Sequence, residues 1–189
     1  MKIIRHLLDA IDSVRFLPHV LVYVLSKNQT IMEDTRIWVK RKGLKGGVKS
    51  FLFLMRKYKE FRTLFYYRIP RASVFRIIAP GLDSLYICCK NIGKGLFIQH
   101  GFATTITAES IGNYCWINQQ VTIGHTAKGK PVIGNNVRIG AGAIVIGNIS
   151  IGDNSTVGAG TTVTTSIPAN SLAVGVKPRI LINHIVEKQ

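Results

Sequence analysis

Apolar residues recur every six positions through the second half of the chain, at Ile111, Ile117 and Ile123, then at Ile133, Ile139, Val145, Ile151, Val157 and Val163. Glycine follows most of them directly, at Gly112, Gly124, Gly134, Gly140, Gly152 and Gly158. Four positions after each apolar residue stands a small or β-branched one: Cys115, Val121, Ala127, Val137, Ala143, Ile149, Ser155, Thr161 and Ile167. A half-buried strand alternates every second residue and an amphipathic helix repeats about every 3.6, so neither makes this pattern. A hexad fits a parallel β-helix, in which each unit is one short strand and one turn. The apolar residue then points inward, the small one occupies a crowded corner, and glycine lets the chain bend without a Cβ clash.

Three hexads close one triangular coil, which places coils over residues 111–128, 133–150 and 151–168. The predicted fold is mainly β: a left-handed parallel β-helix, the known exception to right-handed crossovers, with a small N-terminal α-helical segment. Gly129, Lys130, Pro131 and Val132 interrupt the count and predict a loop thrown outward, a usual place for function. Upstream, Ile92 and Ile98 keep the spacing, and the count slips by one residue before Ile111, so a less regular first coil is expected over 85–110. The repeat ends at Ile167-Pro168, with Val174 to Ile180 closing the stack as a cap. The expected organisation is a helical segment over 1–80, the β-helix and cap over 81–182, and a tail over 183–189.

The first 80 residues contain no hexads. They hold 17 of the 25 lysines and arginines but 5 of the 9 acids, an excess of twelve positive charges, and 11 of the 16 aromatic residues. Ile3, Ile4, Leu7, Leu8, Ile11 and Val14 recur at helical spacing, as do Phe51, Leu54, Met55, Tyr58, Phe61 and Phe65. Two or three helices are expected, with breaks near Pro18 and near Gly43–Gly47. Two compatible readings follow: a helical cap buried on the solenoid or a neighbouring subunit, and a basic, apolar surface resting on an anionic membrane. The longest apolar run, Val20–Leu25, is far short of the ~20 residues a spanning helix needs. Asp9 and Asp12 interrupt the first apolar series, which argues against a cleavable signal.

The formal charge of +16 raises nucleic-acid binding, but no helix-turn-helix, zinc-finger or RNA-binding signature accompanies it. Three cysteines, two of them adjacent at Cys88 and Cys89, form no disulfide framework and point to a reducing, cytoplasmic setting. Metal ligands at repeated spacing are absent from the sequence, so no metal is expected.

Reactive side chains are sought where the repeat is irregular. Two histidines fall in the solenoid: His100, where the first coil loses count, and His125, at the mouth of the outward loop. An imidazole that is neutral near pH 7 is a natural general base for a hydroxyl nucleophile, although each histidine also reads as a solvated surface residue.

The segments Gly95-Leu-Phe-Ile-Gln-His100, Ile117-Asn-Gln-Gln-Val-Thr-Ile-Gly124, Ile139-Gly-Ala-Gly-Ala143, Val157-Gly-Ala-Gly160 and Val174-Gly-Val-Lys-Pro-Arg179 together resemble the serine acetyltransferase branch of hexapeptide-repeat acyltransferases. The resemblance covers about residues 85–180. It implies acetyl-CoA as donor, a homotrimer with sites between neighbouring prisms, and His100 as the catalytic base. It also implies cofactor contacts at Ala141, Gly142, Ala159 and Gly160, with Lys177 and Arg179 for the CoA phosphates.

The departures concern the acceptor. An aspartate that precedes the catalytic histidine in that branch is Gln99 here, and the aspartate that orients it aligns with Leu85, leaving Asp83 or Glu109 as substitutes. A second active-site histidine aligns with Lys130; His125, Gln99 and Lys130 are the candidate acceptor-site residues. With these acids gone from the solenoid, the ammonium of a free amino acid lacks a partner. The chain also resembles short relatives from capsule, exopolysaccharide and lipopolysaccharide gene sets, and Glu60 to Ile69 resembles their N-terminal segment. The expected activity is therefore O-acetylation of a sugar hydroxyl on a surface polysaccharide, its glycan or glycolipid precursor, at the inner face of the membrane. Serine O-acetylation is the alternative, and a non-catalytic trimeric scaffold the alternative of another class.

Overall fold

The computed structural model describes residues 14–175; the expected first helix, Lys177, Arg179 and the tail lie outside the described residues. Among the described residues four α-helices come first: α1 (Leu17–Ser26), α2 (Gln29–Arg41), α3 (Gly47–Lys57) and α4 (Lys59–Arg68), followed by a 3-10 helix over Pro70–Ile77. Asn28 starts α2 by accepting the backbone N–H groups of Thr30 at 3.0 Å and Ile31 at 3.2 Å, while Lys40 and Arg41 suit its C-terminal dipole. Pro18 does not break a helix as expected. It lies in the first turn of α1, where its missing N–H has no helical acceptor to lose. The apolar series from Phe51 to Phe65 is shared between α3 and α4, because Tyr58 is extended (φ −118°, ψ 101°) and turns the chain between them.

Most aromatic residues of this layer face inward. Trp38, Phe51, Phe61, Phe65 and Tyr66 are at most 1% exposed. Trp38 reaches the solenoid edge-on, its ring 4.8 Å from that of Phe97, and its Nε1–H donates to the Leu96 carbonyl at 3.0 Å. Tyr67 donates to the Cys89 carbonyl at 2.7 Å, and Arg68 to those of Ile92 at 2.7 Å and Gly93 at 2.6 Å. These bonds satisfy backbone groups at the open end of the stack and fasten the helices to its first coil.

Fourteen strands follow: β1 (Leu85–Ile87), β2 (Asn91–Ile92), β3 (Phe97–Ile98), β4 (Thr104–Ile106), β5 (Ser110–Ile111), β6 (Trp116–Ile117), β7 (Thr122–Gly124), β8 (Val132–Ile133), β9 (Arg138–Ile139), β10 (Ile144–Ile146), β11 (Ser150–Ile151), β12 (Thr156–Val157), β13 (Thr162–Val163) and β14 (Leu172–Ala173). They form three parallel sheets, β1-β4-β7-β10-β13, β2-β5-β8-β11 and β3-β6-β9-β12-β14, so each coil donates one strand to each face. About five coils result, and the mainly β hexapeptide solenoid predicted from the repeat is what the chain builds. The inward residues Ile111, Ile117, Ile123, Ile133, Ile139, Val145, Ile151, Val157 and Val163 are at most 5% exposed.

Two irregularities differ in place from their expectation. The interruption is a tight hairpin in which Thr126 and Gly129 exchange backbone hydrogen bonds of 3.0 and 3.1 Å, several residues before the expected break. Ala127 is therefore exposed on a hairpin tip instead of packed in a corner, whereas Pro131 is already buried. In the first coil, eight positions separate the stacked residues Ile98 and Ile106 and five separate Ile106 from Ile111. The single slip seen in the sequence is thus two residues gained at one corner and one lost at the next.

Candidate functional site

The corner that gains two residues carries His100. Ile98, Ile117, Ile139 and Val157 stack directly on one another in the third sheet. One place after them run Gln99, Asn118, Gly140 and Gly158, and two places after them His100, Gln119, Ala141 and Ala159. These two rows line one groove of about 380 Å³ running along the solenoid, with Arg138, Thr156 and Val157 on its flank. Amides fill the rows near His100, while glycine and alanine leave the next two coils open. Repeat phase alone thus builds a trough with an imidazole at one end and bare backbone along its floor.

His100 is exposed and takes a left-handed backbone conformation, φ +67°. Such a φ is uncommon for a residue with a side chain and is held there by its surroundings. Gly101 follows at φ +63°, packed so closely that a Cβ on it would lie 3.0 Å from Glu60 Cβ. Glu60 comes from the first turn of α4, is 8% exposed, and lies within the electrostatic reach of His100. Burial pushes its carboxyl above the usual range, opposed by its own backbone N–H and by the charges of Lys42, His100 and Arg62. Gln99 sits beside the imidazole, Nε2 to Nε2 at 3.5 Å, too long for a firm hydrogen bond.

The other expected residues are distributed differently. Ala141 and Ala159 line the groove with His100, and Gly142 and Gly160 follow them at φ +68° and +65° on the same corner. Asp83 lies in the wall of a separate hollow beside Tyr86 and Arg76. Glu109 is exposed at the β4–β5 corner, its N–H bonded to the Pro131 carbonyl at 2.8 Å. Neither acid lines the groove: Glu109 stands on the edge between the first and second sheets, and Asp83, on the turn before β1, faces that separate hollow. His125 is exposed at the start of the hairpin and Lys130 at its end, where Lys130 and Glu109 both act on buried Cys89. Glu60 was missed by the sequence reading, although it is the one acid between residues 35 and 82. Three hollows of larger volume, about 540, 410 and 390 Å³, contain no histidine. Among the described residues no three His, Cys, Asp or Glu side chains are placed to share a metal ion.

Residues 130–165 match the family model described as bacterial transferase hexapeptide (six repeats). Over 95 residues, 48% of this chain, it is 45% identical to the serine acetyltransferase of Synechococcus elongatus and 42% identical to that of Helicobacter pylori. The aligned region spans 39% and 56% of those two proteins, so the chain spans about half or less of the curated relatives it matches. Among solved structures, soybean serine acetyltransferase superposes with a TM-score of 0.64 at 27% identity, covering 86% of this chain and 74% of that one. Serine acetyltransferase isoform 3 of Entamoeba histolytica, in complex with cysteine, gives 0.64 at 26% identity over 88% of this chain and 64% of its own. These relatives overturn the sugar acceptor expected from the sequence, and with it the glycan partner and the place in polysaccharide synthesis. The expectation rested on acids missing from the solenoid; Glu60 shows that the helical layer brings a carboxylate to the same corner.

Proposed function

We propose that this chain is an acetyl-CoA-dependent O-acetyltransferase acting on serine, with His100 as general base. The observation that carries the reading is the groove itself, an imidazole at the head of a backbone-floored trough, in a chain that matches serine acetyltransferases over 95 residues. His100 takes the hydroxyl proton as the oxygen attacks the thioester carbonyl; the C–S bond then breaks, and the imidazolium returns the proton to the departing thiolate. The extended, amide-rich pantetheine arm suits the exposed backbone beside Gly140–Ala141 and Gly158–Ala159. Glu60 places a buried carboxyl within electrostatic reach of the imidazolium that forms.

His100 is exposed on a single chain, so the second wall of the site is assigned to a neighbouring prism in a homotrimer. Light scattering should give about three times the 20.9 kDa chain mass. The functional test is release of free CoA thiol from acetyl-CoA on addition of L-serine. His100→Ala should lower turnover by about 10²–10⁴-fold with an unchanged melting temperature. Wild-type protein that releases no thiol with L-serine refutes the assignment.

A peripheral contact with anionic membrane is part of the same proposal. Val14, Leu17, Leu21, Val24 and Leu25 stand 49–75% exposed along α1 and the residues before it, and Ile77 beside them is 91% exposed. No acid occurs at 13–32 or 61–82, while Lys27 follows α1 and Arg71 shares a hollow with Val22 and Leu25, a charge pattern complementary to anionic headgroups. No helix among the described residues is long and apolar enough to cross a membrane. Co-sedimentation with phosphatidylglycerol vesicles, absent with phosphatidylcholine and lost in Leu21→Glu, is the expected result; equal recovery with both lipids removes the contact.

A further inference from the structure

The outward row of the third sheet places Phe97, Trp116, Arg138 and Thr156 on successive coils. Two cations converge on the second of these. The Arg138 guanidinium carbon lies 4.2 Å from the Trp116 ring centroid, and that of Arg41, arriving from the end of α2, lies 4.1 Å from the same ring and 5.1 Å from Phe97. No carboxylate among the described residues forms an ion pair with either arginine. Burial and the charge of Arg138 both push the Arg41 guanidinium below its ordinary range, as expected of like charges held together without a counter-ion. Trp116 Nε1–H is itself buried without an acceptor. Helix and solenoid thus hold two forked donors over a shared aromatic platform, and one of them, Arg138, lines the His100 groove.

We propose that Arg138 and Arg41, stacked on Trp116, form the subsite that holds the carboxylate of the acceptor while its hydroxyl faces His100. This rests on the assignment of an amino-acid acceptor. Position within the groove selects a carboxylate over a CoA phosphate. Successive coils are about 4.8 Å apart. Arg138 is on the third coil and folds back onto Trp116 of the second, whereas His100 is on the first. A small acceptor at His100 falls within the span of an arginine side chain. With the thioester at His100, the pantetheine arm runs on past Gly140 and Gly158, and the phosphates fall beyond Arg138. Planar guanidinium also matches a carboxylate in bidentate fashion, which a surface lysine does not.

The test is steady-state kinetics with L-serine and with L-serinamide, which keeps the hydroxyl and lacks the carboxylate. Arg138→Gln should raise KM for L-serine roughly 30-fold, with the loss concentrated in KM over kcat. KM for acetyl-CoA should stay in place, and the preference for L-serine over L-serinamide should disappear. Arg41→Gln, on a different element, should shift the same parameter. A rise in the acetyl-CoA KM instead would assign the pair to CoA phosphate and overturn the proposal, as would an unchanged L-serine KM. A second readout does not need turnover: the chain has two tryptophans, Trp38 and Trp116, so binding at the stack is visible in fluorescence. L-serine should give a saturable change that Trp116→Phe and Arg138→Gln both abolish and that L-serinamide does not produce. If wild-type enzyme turns over no serine, the proposed function fails by itself. The fluorescence titration then decides the subsite: a saturable, Arg138-dependent response to L-serine upholds it, and no response refutes it.

Discussion

Arg68 on α4 donates its Nε–H to Asp34 Oδ2 on α2 across 2.8 Å, with both side chains almost wholly buried. The other oxygen of Asp34 accepts the backbone N–H of Leu96 at 2.8 Å, so one carboxylate joins two helices to the first coil. Burial pushes the Asp34 carboxyl above its ordinary range, and the Arg68 charge pulls it back. Removing one partner of such a pair leaves the other as an uncompensated buried charge. Asp34→Ala should therefore cost about 3–5 kcal/mol in urea denaturation. Asp34→Leu with Arg68→Met should cost less than either single change, and an additive double mutant would show that the pair is not coupled.

His19 gives the helical layer a pH dependence. Tyr66 donates its hydroxyl to the Ala79 carbonyl at 2.7 Å, so His19 Nε2 must be the protonated nitrogen in its 2.8 Å bond to Tyr66 Oη. Burial, then the charges of Arg62 and Arg15, lower the His19 pKa to about 4. The unfolded chain takes up this proton near pH 6.5, before the folded one. The neutral ring thus carries its full stability above that pH and loses it as pH falls from 6.5 towards 4, by up to about 3 kcal/mol. His19→Phe, placed among Phe16, Phe65 and Phe75, should flatten this part of the profile. Parallel denaturation profiles of both proteins across that window would exclude His19 as the source.

Two glycines on one edge of the prism should respond differently to alanine. A Cβ at Gly140 would lie 2.5 Å from the backbone nitrogen of Ala159 on the next coil, a contact that forces the coils apart. Gly160 has nothing within 4 Å of a built Cβ, and its φ of +65° carries only the left-handed penalty of about 1–2 kcal/mol. Gly140→Ala should lower the melting temperature more than Gly160→Ala. The reverse order would mean that the coils are not stacked in this register.

The coils were legible because the hexad ties sequence position to a face of the prism: Ile117, Ile139 and Val157 had to stack once the period was seen. The place of His100 was legible for the opposite reason, since it lies where the period fails. The hairpin was misplaced because a four-residue insertion can be cut from the repeat at several points, and only the Thr126–Gly129 bonds fix it. Glu60, Arg41 and Arg138 come together across three separate elements, and no local pattern links residues so far apart. The sugar acceptor failed for the same reason. It weighed the charges of the solenoid alone, while the helical layer delivers a carboxylate to the corner of His100.

Glu60 offers a test in which stability and activity move in opposite directions. Its carboxyl is 8% exposed and raised above the ordinary range chiefly by burial, so the folded state disfavours the ionised form. A group with a raised folded pKa contributes stability at low pH and loses it as pH rises through that value. Glu60→Gln keeps the shape and removes the charge. The variant should match wild type below about pH 4.5 and become the more stable protein as pH rises towards neutral. A carboxyl buried at a stability cost beside His100 points to function, which in the proposed mechanism is a negative field facing the imidazolium that forms. Serine-dependent thiol release at neutral pH should fall by roughly 10–100-fold in Glu60→Gln, a loss of about 1.4–2.7 kcal/mol of transition-state stabilisation. Wild-type rates together with an unaltered stability profile would show that Glu60 is neither strained nor in communication with His100.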